Sequence, residues 1–204
     1  MWSIASVRDR ADVNEVEPDI WVVRHGATEW SDARRHTGRS DLALTDAGKQ
    51  QAAALCRPLN RQAFSLVLTS PLVRARDTAR IAGFADAAVD ENLLEWDYGV
   101  YEGRTTAEIQ TEIPGWSVWT HPVMEGEALD AVAERARRVL DRCAAAEGRV
   151  LLIAHAHILR IITACALGLP PVTARVFTLD PASISVIGRE HDYRALRRWN
   201  WLPT

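Results

Sequence analysis

Three short apolar runs, at 20–23, 64–69 and 149–154, each give way abruptly to polar or charged residues. Runs of this length, bounded by turn and breaker residues, read as strands buried on both faces, as in a parallel sheet. Stretches of helical spacing lie between and after them: 46–57 behind the N-cap Thr45 and ended by Pro58, 72–82 stopped by Gly83, and 158–167. Leu129, Val132, Ala133, Ala136, Val139, Leu140 and Cys143 form the clearest amphipathic helix, and Arg135, Arg137, Arg138 and Arg142 between them read as its solvated face. This strand–helix alternation predicts an α/β fold, a three-layer sandwich with a mostly parallel central sheet and helices on both faces. Further strands are expected at 87–89, 172–179, 183–188 and 194–199.

The stretches between are more irregular. Residues 31–41 are polar and Arg-rich and read as a loop over the strand tips. Residues 90–103 are dense in carboxylates and aromatics, and Thr105 to Glu108 has capping-box spacing for a short helix that stops before Pro114-Gly115. The segment 116–127 holds two tryptophans and little periodicity, which suits either a cover over a site or a surface excursion anchored by Trp116 and Trp119. A lid is therefore expected at about 97–127. Residues 1–18 read as a flexible lead-in to one domain spanning 19–204, with no secretory signal pattern.

With 204 residues, 48% of them hydrophobic, the chain can bury one substantial core. A net charge of −3 gives no general electrostatic reason to expect nucleic-acid or anionic-membrane partners, so any positive charge that matters is local. Cys56, Cys143 and Cys165 fall in helical stretches as small core residues of a reducing compartment, which points to the cytoplasm. The apolar run 153–169 is interrupted by His155, His157 and Arg160 and is a buried helix with its preceding strand. Oligomeric state is left open, a homodimer included.

The predicted strand ends carry the chemistry. The first ends in Arg24-His25-Gly26, the second in Ser70-Pro71 ahead of Arg74 and Arg76, and the third in His155-Ala156-His157. Ligands of open α/β sheets bind at the carboxyl ends of strands. Two arginines and two histidines sent there make a pocket for a dianion, since guanidinium forks match phosphate oxygens and imidazoles donate or attack. Each residue alone has a plainer reading: His25 as a satisfied strand-end histidine, Arg74 as a helix-surface charge, His155 with His157 as a metal pair. No P-loop, zinc spacing or Asp-rich cluster is present, so no metal and no cofactor is expected.

These residues, taken in order, resemble the histidine phosphatase superfamily, the phosphoglycerate-mutase-like fold. The matching motifs are Arg24-His25-Gly26 with Thr28, His36-Thr37-Gly38, Leu44-Thr45-x-x-Gly48, Ser70-Pro71-x-x-Arg74-Ala75-x-x-Thr78, Glu95-x-x-Tyr98-Gly99, and His155 after a strand. The resemblance implies that His25 is the nucleophile and Glu95 the proton donor to the leaving alcohol. By the same resemblance Arg24, Arg74 and His155 clamp the phosphoryl oxygens, Thr37 and Gly38 add contacts, and Tyr98 lies on the substrate side. Crowding by arginines would keep His25 neutral, and shielding by Trp96 and the 116–119 segment would keep a proton on Glu95. For the acid role Glu95 competes with Glu91, Asp97 and Glu102.

Two positions depart from the family pattern. Ser31 stands where Asn is common and would offer phosphate a single hydroxyl, and Ala156 stands where Gly usually follows the second histidine, which would tighten or displace a backbone contact. Activity is expected to survive both. The stretch Glu95-Trp-Asp-Tyr-Gly-Val-Tyr-Glu-Gly103 resembles the phosphatase branch, and the chain lacks the longer lid a mutase generally carries. The resemblance thus implies a metal-independent phosphomonoesterase acting on a small phosphorylated metabolite through phosphohistidine. The alternatives are a cofactor-dependent phosphoglycerate mutase and a non-catalytic phosphoester-binding protein.

Overall fold

A computed structural model describes residues 18–203; the lead-in expected at 1–18 falls almost wholly outside them. Six strands, β1 (Ile20–Arg24), β2 (Leu66–Thr69), β3 (Ala88–Val89), β4 (Val150–Ala154), β5 (Ile184–Glu190) and β6 (Tyr193–Trp201), form one sheet in the order β3-β2-β4-β1-β5-β6. The first four are mutually parallel, and the β5–β6 hairpin adds an antiparallel edge.

Alternation along the central strands explains why they read as continuous apolar runs. Ile20 and Val22 of β1 and Val150, Leu152 and Ala154 of β4 enter one core, with α6 (Leu129–Ala144) and α7 (Ala156–Ala166). Val23, Leu151 and Ile153 enter the other. There they meet Leu55 and Leu59, between and within α2 (Asp46–Ala54) and α3 (Cys56–Leu59), and Ala79 of α4 (Val73–Ile81). Both faces of β1 and β4 are dry, so along these two strands charge appears only at the ends.

Three expectations are corrected. The helix expected over 46–57 breaks at Leu55, and Pro58 lies inside α3, where a first-turn proline removes an N–H that has no helical partner. The strand expected at 172–179 is a 3₁₀ helix, Pro171–Val176, because Pro170 and Pro171 have no N–H to give a ladder. Within the stretch read as a loop, Ser31 and Asp32 complete a one-turn helix α1 (Glu29–Asp32) capped by Thr28. The Thr105 capping box does open a helix, α5 (Thr106–Glu112).

Candidate active site

Register brings the two histidines together. Arg24 pairs with Ala154 at the ends of parallel β1 and β4, and the His25 N–H donates to Ala154 O at 2.9 Å, so His25 and His155 leave adjacent strands at one level. Their rings lie 5.1 Å apart edge to face, both buried. The turn after His25 is built by glycines: a Cβ on Gly26 would run into the backbone of Gly48, and one on Gly48 into Ala27. Thr45 caps α2 at the same place, and Thr78 Oγ1 accepts the Gly26 N–H at 3.1 Å. This is the work of the Leu44-Thr45-x-x-Gly48 and Arg74…Thr78 motifs.

A carbonyl can only accept, so the 2.7 Å contact between His25 Nδ1 and Gly26 O places the proton on Nδ1 and leaves the Nε2 lone pair open. Burial first, then the charges of Arg74 and Arg24, hold the His25 pKa well below its ordinary value, against the opposing pull of the Gly26 carbonyl. His155 is depressed in the same way, by burial and then by Arg74. Its Nδ1 accepts from Arg74 Nε at 3.1 Å, and its Nε2 lies 2.7 Å from Ser70 Oγ.

A cavity of about 270 Å³ opens beside His25, lined among others by Arg24, Glu95, Tyr98, His157 and Arg160. Arg24 gives one Nη1 proton to Leu179 O at 2.5 Å, and its buried Nε has no partner among the described residues. A buried guanidinium N–H without an acceptor is costly to leave unpaired. Thr37 and Ala156 also line the cavity.

Other expected contacts are committed within the protein. Arg74 is fully buried and is not on the cavity wall; four of its five donors serve His155 Nδ1 and the carbonyls of Ser40, Thr37 and Gly38. Its charge reaches the site from behind. The Gly38 N–H donates to Glu102, so Gly38 buttresses the wall rather than forming it. Ser31 reaches the cavity, and its hydroxyl donates to Thr28 O and accepts from Thr28 N–H.

Of the four carboxylates competing for the acid role, only Glu95 lines the cavity. Glu102 accepts from the N–H groups of Gly38 and Ser40, Asp97 accepts from the Gly99 N–H, and Glu91 begins a 3₁₀ turn. The Glu95 oxygens accept three backbone N–H bonds, from Trp96 and Ile158 to Oε1 and from His157 to Oε2, each 2.9 Å. Two of the three come from the first turn of α7 and carry its dipole. Trp96 itself is fully buried, with Trp119 packed edge-on against it and Trp119 also 5.0 Å from the His157 ring.

Sequence reasoning missed three arginines of the site, Arg34, Arg135 and Arg160, while placing His36 and His157 near it. Arg135, read as part of a solvated face, holds Glu127 bidentately at 2.8 Å and donates to the carbonyls of Asn92 and Leu94, which fixes the Glu95 loop. Arg160 and Arg34 line the cavity. His157 lies 2.6 Å from the Tyr98 hydroxyl, and burial before all else keeps it neutral and raises the Tyr98 pKa. His36 forms part of the wall against Tyr98, its pKa lowered to about 4 by burial.

A mostly parallel sheet whose strand ends carry an open imidazole and a buried guanidinium, with an enclosed carboxylate on the same cavity, presents the kinds of group that phosphoryl transfer uses. A profile of the histidine phosphatase superfamily, branch 1, matches residues 20–202. The chain is 37% identical over 183 residues to an acid phosphatase of Mycobacterium tuberculosis, covering 87% of this chain and 89% of that one. It is 32% identical over 182 residues to a probable phosphoglycerate mutase of Erwinia tasmaniensis, covering 84% and 85%. Among solved structures, a mycobacterial glucosyl-3-phosphoglycerate phosphatase complexed with VO3 superposes with a TM-score of 0.81 at 28% identity, covering 90% of this chain and 98% of that one. The chain belongs to the histidine phosphatase superfamily and is a phosphoric monoester hydrolase.

No helix among the described residues is long and apolar enough to cross a membrane.

Proposed function

We propose that the enzyme hydrolyses small phosphate monoesters, sugar phosphates among them, through a phosphohistidine on His25, with Glu95 moving the protons and no metal taking part. The observation that carries this reading is the His25 tautomer: Nδ1–H is bound to Gly26 O and Nε2 is open in a cavity that Glu95 also lines. In the first step Nε2 bonds to phosphorus, the bond from phosphorus to the ester oxygen breaks, and that oxygen takes a proton from Glu95. In the second step water attacks phosphorus and gives its proton to Glu95, the N–P bond breaks, and His25 recovers its lone pair. The Gly26 carbonyl supports the positive charge the ring carries between the steps. Arg24, and Arg74 through the wall, answer the charge of the phosphoryl oxygens. A carboxylate has about four lone-pair sites, and the three backbone N–H groups leave one to carry the proton that goes to the leaving oxygen.

The 97–127 segment acts as a cover in this reading, a role supported by the packing of Trp116 against His36 and of Trp119 against His157. Cytoplasmic residence is supported by three free cysteines. The test is hydrolysis of p-nitrophenyl phosphate with a chelator present. Turnover that falls at least about a thousandfold in His25→Ala is expected; release that the chelator abolishes, or that survives the substitution, overturns the reading. Incubation with 3-phosphoglycerate and a bisphosphoglycerate primer should yield free phosphate faster than isomerised product, as the named mutase relative makes worth measuring.

A further inference from the structure

We propose that Glu102 is a positioning residue for phosphoryl transfer: through the backbone of residues 37–40 it holds Arg74 in place, and through Arg74 it holds the tautomer of His155. The inference goes beyond the phosphomonoesterase reading above and rests on it for the roles of His25 and His155.

The first support is the stretch of chain between the two side chains. Arg74 donates from Nη1 to Ser40 O at 2.7 Å and from Nη2 to Gly38 O at 2.9 Å and Thr37 O at 3.2 Å. Glu102 grips the same stretch from its other side, accepting the Gly38 N–H at 2.8 and 3.0 Å and the Ser40 N–H at 3.0 Å. One peptide unit carries both contacts: its carbonyl, from Thr37, meets Arg74, and its N–H, from Gly38, meets Glu102. A carboxylate at the N–H end polarises a peptide and strengthens its carbonyl as an acceptor. Glu102 thus answers the guanidinium through a peptide.

The second support is charge. Arg74 is fully buried, and the acceptors it reaches are a neutral imidazole and three carbonyls. Burial works against its charge, which Glu95, Asp41 and Glu102 favour. Glu95 is committed to the start of α7 and Asp41 to the Val73 N–H, whereas Glu102 is bonded to the segment that Arg74 holds.

The third support is a backbone shaped for the contact. A Cβ on Gly38 would run into Trp96 O and the Glu102 carboxylate, so a glycine is what lets the two meet. Around Glu102 the chain is pinned by bonds from the His36 N–H to Arg104 O and from the Gly103 N–H to His36 O, both 2.8 Å. Arg39 also ties this segment, to Glu127 at 3.2 Å, but through a partly exposed side chain and not through the peptides.

Glu102→Ala and Glu102→Gln test the relay. Nitrogen NMR of the histidine rings is expected to show His155 as the Nε2–H tautomer in the wild type and as a mixture in Glu102→Ala, since the Ser70 hydroxyl can serve either form. In the same variant kcat is expected to fall at least about tenfold, and equally on p-nitrophenyl phosphate and an alkyl phosphate, because the nucleophile side is disturbed and not the acid. Arg24, Arg74 and His155 face His25, and a loosened Arg74 opposes its protonation less. The ratio of kcat/KM at pH 5.5 to that at pH 7.5 should therefore lie about threefold or more below the wild-type ratio. Glu102→Gln keeps an oxygen for both N–H groups without the charge and should lose about threefold in kcat, equally on the two esters. An unchanged His155 ring pattern in a folded Glu102→Ala, a wild-type kcat, or a larger loss on the alkyl ester overturns the relay. If Glu102→Ala does not fold, Glu102→Gln decides alone, and a wild-type kcat in it overturns the relay. A wild-type enzyme with no turnover of p-nitrophenyl phosphate would instead fail the phosphomonoesterase reading, and the ring spectra would still decide the relay.

Discussion

Arg74 donates from Nε to His155 Nδ1 at 3.1 Å. Because a guanidinium N–H cannot accept, this contact defines His155 as a neutral ring whose Nε2–H faces Ser70 Oγ at 2.7 Å. The two residues act as one unit: the arginine sets the tautomer of one histidine, and its charge adds to burial in keeping the other unprotonated.

Arg74→Lys therefore separates charge from geometry. Lysine keeps the positive charge but cannot reach His155 and three carbonyls together, and burial leaves those acceptors unpaired. A loss of about 2–4 kcal/mol in urea unfolding and a fall of kcat by about 10²-fold are expected. A variant with wild-type stability and kcat would show that the Arg74–His155 contact does nothing.

Glu95→Gln should discriminate by leaving group. Nitrophenolate leaves with little proton assistance, whereas an alkoxide does not, so kcat on an alkyl phosphate should fall at least tenfold further than on p-nitrophenyl phosphate. The glutamine NH2 must also face at least one of the N–H groups of Trp96, His157 or Ile158, which adds a stability cost of about 1–3 kcal/mol. Equal kinetic losses on both substrates would place the acid elsewhere.

Arg135→Met tests the support of that loop. The side chain is 12% exposed, and its removal leaves Glu127 with only Arg39 as a cationic partner and frees the carbonyls of Asn92 and Leu94. Breaking a largely buried ion pair costs about 3–5 kcal/mol. Thermal unfolding should show a drop of several degrees, together with a larger loss on alkyl than on aryl phosphates because Glu95 is displaced. A change within about 0.5 kcal/mol would return Arg135 to the solvated face.

The contrast between Arg135 and its neighbours shows where sequence stops being informative. The strands of the parallel core were readable because burial on both faces removes polar residues, so a run such as Val150–Ala154 has one interpretation and the charge after it stands out. Capping at Thr105 and Glu108 was readable because it is local. Arg135 and Arg138 occupy the same kind of position on the α6 pattern, yet one is half-buried against carbonyls of a 3₁₀ turn and the other stays exposed. That difference lies in what crosses the helix, and no periodicity encodes it. Glu95 is chosen over Glu102 for the same reason: the turn between them decides which carboxylate meets α7 and which meets Gly38. At 172–179 a strand was expected, and the two prolines before it prevailed.

The histidines give the fold a pH dependence whose sign follows from their burial. His25, His36, His155 and His157 all have folded pKa values below the ordinary 6.5, first because burial disfavours the charged ring. Above pH 6.5 both folded and unfolded chains hold them neutral, and they contribute no slope. As pH falls below 6.5 the unfolded chain takes up protons that the folded chain refuses, so stability declines; for His36 the decline ends near pH 4, where its folded ring is protonated as well. Each buried ring can contribute up to about 1.4 kcal/mol per pH unit in that window. Urea unfolding at pH 7.5 and pH 5.5 should therefore differ by several kcal/mol in favour of the higher pH, well above the range where Asp and Glu titrate. Removing one ring with His36→Phe should shrink that difference by about 1 kcal/mol. Equal stability at the two values would mean that these imidazoles are solvated or charged in the native state, and a protonated His25 has no lone pair with which to attack phosphorus.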